Sequence, residues 1–122
     1  MARILCVDDE PNVVALKCAI LESAGHSVAE AEDGVNALER YFLDKPDVVM
    51  LDLVMKGMYG LDVLLKLREL DHDVRVIVVS ADIQTSSHEL VEQAGGVAFV
   101  NKPYDKHDIL KAIEVALNKG SA

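Results

Sequence analysis

The 122-residue sequence has no apolar run approaching the roughly 18–20 residues that a membrane-spanning helix needs. Its start does not resemble an export signal, because the apolar stretch ending at Val7 is cut short by Asp8 and Asp9. Basic residues are scarce, with 12 lysines and arginines against 21 aspartates and glutamates and a formal charge of −9. We therefore expect no membrane insertion and no direct binding of nucleic acid, since phosphate affinity comes from clustered basic side chains.

Cysteine is scarce as well. Cys6 and Cys18 both fall in apolar stretches, with no histidine at metal-ligand spacing. We expect them to be reduced core residues, and the lack of an export signal favours the cytoplasm. No repeat, linker or low-complexity tract interrupts the chain, and 51% of its residues are hydrophobic. Residues 1–122 are therefore predicted to form one globular domain.

Short apolar runs rich in valine and isoleucine recur along the chain, and each ends in polar residues. None alternates with polar residues, which predicts strands covered on both faces, as in a parallel sheet. The four clear runs are Ile4–Val7, Val48–Leu51, Val76–Val79 and Val97–Val100. A weaker fifth run, Ser27–Ala31, suits the edge of the sheet.

Segments of helical length separate these runs. The predicted helices are Pro11–Ala24, Asp33–Leu43, Leu61–Leu70, Gln84–Ala94 and Asp105–Asn118. The first has two apolar stripes, Val13–Leu16–Ile20 and Val14–Cys18–Leu21. The fourth is polar at its start, so we expect it to be weakly held. Alternating strands and helices predict an α/β fold with right-handed crossovers and a parallel sheet.

The residues that follow the apolar runs are the candidates for a functional site, because ligands of such folds bind outside the carboxyl ends of the strands. They are Asp8, Asp9 and Glu10 after the first run, Asp52 after the third, Ser80 after the fourth and Lys102 after the last. Like charges ~4 Å apart repel by about 4 kcal/mol at an effective dielectric near 20. Clustered carboxylates would therefore either raise the pKa of one member or recruit a cation.

The chemistry of these side chains points to phosphate. Hard oxygen ligands in this number suit Mg²⁺, which completes its shell with water and phosphate oxygens. The Lys102 ammonium can pair with a phosphate oxygen or with the central carboxylate, and the Ser80 hydroxyl can donate to another oxygen. A phosphate carried on or near Asp52 would use all of them, and an aspartate carboxylate can itself be the nucleophile that forms an aspartyl phosphate.

Four motifs resemble the receiver domain of two-component response regulators. They are VDDE from Val7, LDLVMKGMYG from Leu51, VVSA ending at Ala81 and FVNKP from Phe99. The resemblance covers the whole chain in order. It implies a flavodoxin-like, doubly wound five-stranded parallel sheet of order 2-1-3-4-5 with five helices. It also implies a stand-alone signalling switch that catalyses only its own phosphorylation and dephosphorylation, and so is not an enzyme in the usual sense.

The resemblance assigns the acceptor and the metal ligands. Asp52 would take a phosphoryl group from a sensor histidine kinase. Mg²⁺ would be held by Asp9 directly, by Asp8 through water, by Asp52 and by the backbone carbonyl of Val54. The output would pass to a downstream effector or phosphatase protein through residues 83–119.

The resemblance also assigns the switch. Lys102 and Ser80 would contact the phosphoryl group, and Phe99 would be the aromatic whose rotamer follows the switch. Pro103 follows Lys102 through a bond that is usually cis in the family. Val54 and Asp82 would flank the water that hydrolyses the aspartyl phosphate, and the apolar Val54 would slow that reaction.

Two positions depart from the family pattern, and three alternatives stay open. Lys56 stands where proline is common and Tyr59 where aspartate is frequent, so the charge and shape of the rim differ. A haloacid-dehalogenase-type phosphatase also uses an aspartate nucleophile with Mg²⁺, but it needs a second aspartate where this chain has Val54. A degenerate receiver that only binds partners would have lost an acceptor or ligand. The third alternative is one domain of a longer regulator.

Overall fold

The computed structural model describes residues 2–55, 58–81 and 85–118, with the backbone alone at 54, 55, 58, 59 and 85–88. Five strands form one parallel sheet: β1 Arg3–Val7, β2 Ser27–Ala31, β3 Val48–Asp52, β6 Val76–Ser80 and β7 Ala98–Asn101. Two short antiparallel strands, β4 Val54–Met55 and β5 Met58–Tyr59, form a separate ribbon after β3.

The sheet order is β2-β1-β3-β6-β7, which is 2-1-3-4-5 when only its own strands are counted. The predicted α/β fold and strand order are therefore confirmed. The weak run Ser27–Ala31 lies at the sheet edge, as its thinner apolar content predicts. All five residues of β3 and of β6 are buried, which is why these strands do not alternate with polar residues.

Within the described residues, four helices connect the strands and a fifth follows the last one: α1 Pro11–Ser23, α2 Gly34–Asp44, α3 Gly60–Leu70, α4 Thr85–Gln93 and α5 Lys106–Asn118. Side-chain hydrogen bonds cap the first turns of α2 and α5. The Asp33 carboxylate caps α2 by accepting from the Asn36 amide at 2.8 Å. Asp105 and Asp108 accept from each other's backbone N–H at the start of α5, which satisfies amides that have no partner within the helix.

The core lies on both faces of the sheet. One face packs against α1 and α5, through Leu21, Ile109 and Ile113. The other packs against α2, α3 and α4, through Ala37, Leu64 and Val91. Across the described part of the chain, every helix falls short of the length and apolar content needed to cross a membrane.

The buried face of α1 combines the second apolar stripe with a residue that the pattern did not place inside. Val14, Cys18 and Leu21 are buried, whereas Leu16 is 57% exposed. In the first stripe Leu16 faces outward, whereas Val13 and Ile20 are half-buried. Lys17 shares the inner face and is 0% exposed.

Candidate functional site

Strand register brings the predicted site residues to one edge of the sheet. Val7 pairs with Leu51, so Asp8 follows β1 beside the end of β3, where Asp52 lies. Asp52 pairs with Val79, and Ser80 pairs with Asn101, immediately before Lys102. Ser80 is 3% exposed and its carbonyl accepts from the Lys102 amide at 2.8 Å. The carboxyl edge therefore collects side chains from four separate strand ends.

Asp52 and Lys102 form an ion pair at the centre of this edge. The Lys102 Nζ donates to Asp52 Oδ2 at 2.9 Å, and the side chains are 32% and 7% exposed. A carboxylate this buried requires a charged or hydrogen-bonding partner. The predicted juxtaposition of the aspartate and the lysine is therefore present, although the two residues lie 50 positions apart. The Lys102–Pro103 peptide bond is cis, as the resemblance implied.

Asp8 is held by contacts that the sequence analysis did not anticipate. Its Oδ2 accepts from the Lys17 Nζ at 3.2 Å, and both side chains are almost completely buried. Its Oδ1 accepts from the Glu10 amide at 3.0 Å. Each carboxylate oxygen of Asp8 thus has a donor within the protein. Glu10 itself is exposed and precedes α1 without capping it through its side chain.

Tyr104 is a second residue that the sequence analysis missed. Its ring centre lies 6.0 Å from the Lys17 Nζ. Burial and then the negative charge of Asp8 raise the pKa of the Tyr104 hydroxyl, with smaller effects from Cys6 and Asp52. The signal available in the sequence was its place two residues after Lys102, just past the last strand.

The two cysteines lie in the core as free thiols, as predicted. The Cys18 thiol donates to Glu30 Oε1 at 3.2 Å. A hydrogen bond with Cys18, together with burial, raises the pKa of the Cys6 thiol well above its ordinary value. A raised thiol pKa disfavours the reactive thiolate at Cys6, and both cysteines are buried in the core.

The remaining predicted residues are placed to different extents. Asp9 is half-buried after β1, and Phe99 is half-buried on β7, where it pairs with Val78. Val54 is described through its backbone alone. Lys56 and Asp82 lie outside the described residues, as does the side chain of Tyr59.

The carboxylates at the strand ends are few, and their number suits Mg²⁺. Within residues 2–55, 58–81 and 85–118, no group of three or more His, Cys, Asp and Glu side chains is arranged to hold a metal ion. Asp8 is paired with Lys17 and Asp52 with Lys102, and Asp9 and Asp52 are the two carboxylates that the resemblance assigns as direct ligands. Mg²⁺ characteristically takes one or two carboxylates and completes its shell with water and phosphate oxygens, so this donor set fits it.

The comparisons with known proteins agree with this geometry. The family model described as "Response regulator receiver domain" matches residues 4–114. The chain is 35% identical to protein PilH of Pseudomonas aeruginosa over 122 residues, covering 96% of this chain and 98% of that protein. It is 36% identical to the chemotaxis protein CheY of Bacillus subtilis over 117 residues, covering 95% and 98%. The crystal structure of a response regulator receiver domain protein from Clostridium thermocellum superposes with a TM-score of 0.92 at 25% identity, covering 98% and 97%.

Proposed function

Because the chain belongs to the family of response regulator receiver domains, we propose that it is a phosphorylation-activated signalling switch with Asp52 as its acceptor. The observation that carries this proposal is the Asp52–Lys102 ion pair at 2.9 Å on the carboxyl edge of the sheet. It sets a nucleophilic carboxylate beside a cation suited to phosphoryl oxygens. The family match over residues 4–114 supports treating the chain as one receiver domain.

The proposed physiological donor is a histidine kinase, which carries the phosphoryl group on an imidazole nitrogen. A carboxylate oxygen of Asp52 forms a bond to phosphorus while the phosphorus–nitrogen bond breaks and its electron pair returns to the imidazole. Lys102 then offers its ammonium group to the oxygens of the transferred group, because charge-assisted hydrogen bonds to phosphate are stronger than neutral ones. The domain's own chemistry is limited to this transfer and to loss of the phosphoryl group.

Asp9, Asp52 and the backbone carbonyl of Val54 would hold Mg²⁺, with Asp8 reaching it through water. The ion supplies neutralisation of charge on the phosphoryl oxygens. The fit rests on Asp9 and Asp52, both at the carboxyl edge of the sheet.

Ser80 and Phe99 form the proposed switch. Ser80 is buried at the end of β6 and belongs to the strand that pairs with β7, where Phe99 lies. A phosphoryl group on Asp52 gives the Ser80 hydroxyl a new acceptor, and its movement leaves room for Phe99 to turn inward. The contact forms in one state only, as a population shift requires.

The surface for a downstream effector or phosphatase protein is proposed within residues 83–119, which include α4, β7 and α5. Among the α4 side chains that are described, Val91 is buried while Glu89, Leu90, Glu92 and Gln93 are exposed. A helix anchored by so little apolar area opens locally at low free energy, which suits an element that moves. We place this signalling in the cytoplasm, since two buried free thiols suit a reducing compartment.

Intact-mass spectrometry tests the proposal. Incubation with acetyl phosphate and Mg²⁺ should add one phosphoryl group that is lost at alkaline pH, and Asp52→Asn should abolish the adduct. Asp73→Asn, at an exposed position after α3, is the matched control and should label normally. A stable adduct on Asp52→Asn, or equal labelling without Mg²⁺, contradicts the proposal.

A further inference from the structure

Lys17 is a fully buried lysine in contact with the acidic edge. It lies on the inner face of α1, 0% exposed, with its Nζ 3.2 Å from Asp8 Oδ2 and 6.0 Å from the centre of the Tyr104 ring. Lysine is almost never completely buried without a partner, and here the partner is a carboxylate with 1% side-chain exposure. The role proposed above for the carboxyl edge makes no use of this ammonium.

The pair fixes both of its members. Taking one buried ion away leaves the other uncompensated, which is strongly unfavourable. Neither side chain has an alternative in solvent, because both are closed off from it. Asp8 Oδ1 is engaged too, by the Glu10 amide at 3.0 Å. The Asp8 carboxylate therefore contributes little net negative charge at the carboxyl edge of the sheet.

We propose that Lys17 is a built-in counter-cation of the Mg²⁺ site. Its ammonium cancels the charge of Asp8, keeps that carboxylate out of the inner shell of the ion and leaves Asp9 and Asp52 as the ligating carboxylates. Mg²⁺ binding is consequently weaker than the acidic residues alone would give. This inference rests on the proposed function, because it requires that the carboxyl edge bind Mg²⁺.

The charge of Lys17 sets the size of the effect. The Lys17 ammonium would be separated from the proposed ion by the Asp8 carboxylate and a water molecule. At effective dielectrics between those of a protein surface and of water, Coulomb's law makes one unit charge at that separation worth about ten-fold in the affinity for a divalent ion. Lys17→Met removes the charge while keeping an unbranched apolar chain. It should therefore bind Mg²⁺ about ten-fold more tightly than the wild-type protein.

A series of charge variants tests this with MgCl₂ as the probe. Affinity is read from the amide shifts of Asp9 and Leu53 in two-dimensional NMR titrations at constant ionic strength. Lys17→Met should bind most tightly and Asp8→Asn most weakly, because the latter leaves the ammonium without its counter-ion. The double variant Lys17→Met/Asp8→Asn should fall between them. Leu21→Ala, which opens a cavity on the same face of α1, should lose stability without a change in Mg²⁺ affinity.

The outcomes separate the counter-cation role of Lys17 from the proposed function. A Lys17→Met variant that is merely less stable, with equal or weaker Mg²⁺ affinity, overturns the counter-cation role while leaving the proposed function standing. No Mg²⁺ binding by the wild-type protein overturns both. If Lys17→Met is folded but too unstable for NMR titration, thermal unfolding replaces NMR, and its melting temperature should rise more with MgCl₂ than that of Leu21→Ala. An equal or smaller rise overturns the inference.

Discussion

Replacing Gly60 by alanine should displace the backbone of Asp52, the proposed phosphoryl acceptor. Gly60 begins α3, and a Cβ added there would lie 2.4 Å from the carbonyl oxygen of Asp52, 2.7 Å from the Cα of Leu53 and 2.8 Å from its carbonyl oxygen. All three atoms belong to the main chain, so no side chain can rotate away. The Gly60 amide also donates to the Leu53 carbonyl, which ties the start of α3 to the end of β3.

The expected size of the effect follows from these distances. Ordinary Cβ contacts begin at 3.4 Å, so Gly60→Ala has to move Asp52 and α3 apart by about 1 Å. Overpacking of this kind costs about 1–3 kcal/mol, offset by about 1 kcal/mol of helix propensity gained on replacing glycine. A displacement of ~1 Å in a reacting group can cost about 10²-fold in rate. We expect a net loss of about 0–2 kcal/mol of stability and phosphorylation slowed by about ten-fold or more.

The assay combines urea unfolding with the initial rate of acetyl phosphate labelling, followed by intact mass. Gly25→Ala is the matched control: it has a φ of 92° and nothing within 4 Å of an added Cβ. Its positive φ costs about 1–2 kcal/mol, so its stability should fall by a similar amount. Its labelling rate should stay at the wild-type value. Equal labelling rates in Gly60→Ala and Gly25→Ala would show that the close approach at Gly60 does not position Asp52.

Three further predictions concern the switch, the lifetime and pH. Ser80→Ala should still be phosphorylated but should show smaller amide shifts across residues 83–105, and full-size shifts would refute the coupling. Val54→Asn should shorten the phosphoryl half-life about ten-fold, since an amide can hold the attacking water; unchanged decay after removal of the donor would mean that Val54 is not the barrier. The Tyr41 hydroxyl donates to Asp71 at 2.7 Å and lowers the pKa of that carboxyl. The hydrogen bond therefore stabilises the fold fully above the ordinary carboxyl pKa near 4, and this stabilisation is lost as the pH falls through the lowered pKa of Asp71. Tyr41→Phe should raise the Asp71 pKa in carboxyl-carbon NMR titrations, and its stability deficit should shrink below pH 4; a constant deficit would contradict this.

The parts of the fold that could be predicted from sequence are those in which local pattern and tertiary packing agree. Runs such as Val76–Val79 are apolar on both faces because the finished sheet is covered on both sides, and the same pattern predicts parallel strands. Asp105 caps α5 through purely local hydrogen bonds. Once the strands are parallel, the residues at their carboxyl ends must meet, which is why Asp52 and Lys102 could be paired in advance.

Lys17 could not be predicted in the same way. The periodicity of α1 offered two apolar stripes, and a lysine beside one of them would ordinarily point to solvent. Its burial depends on Asp8, nine residues earlier, and on how α1 leans across the sheet edge. The close approach of Gly60 to Asp52 likewise depends on the path of the chain after β3. The roles of Val54 and Asp82 stay predictions from the resemblance, and the consequence of the unusual Lys56 stays open.

Asp52 and Lys102 lie 50 positions apart in the sequence, and this separation affects the order in which the site can form during translation. The strands β2, β1 and β3 lie side by side and are all complete by residue 52, so they can associate while the rest is still being translated. Lys102 emerges 50 residues later, after the last strand. A nascent chain thus carries its acidic residues long before the cation that faces Asp52 exists. The Asp52–Lys102 pair, and with it the proposed phosphoryl site, forms only after β7 has been synthesised and has docked beside β6.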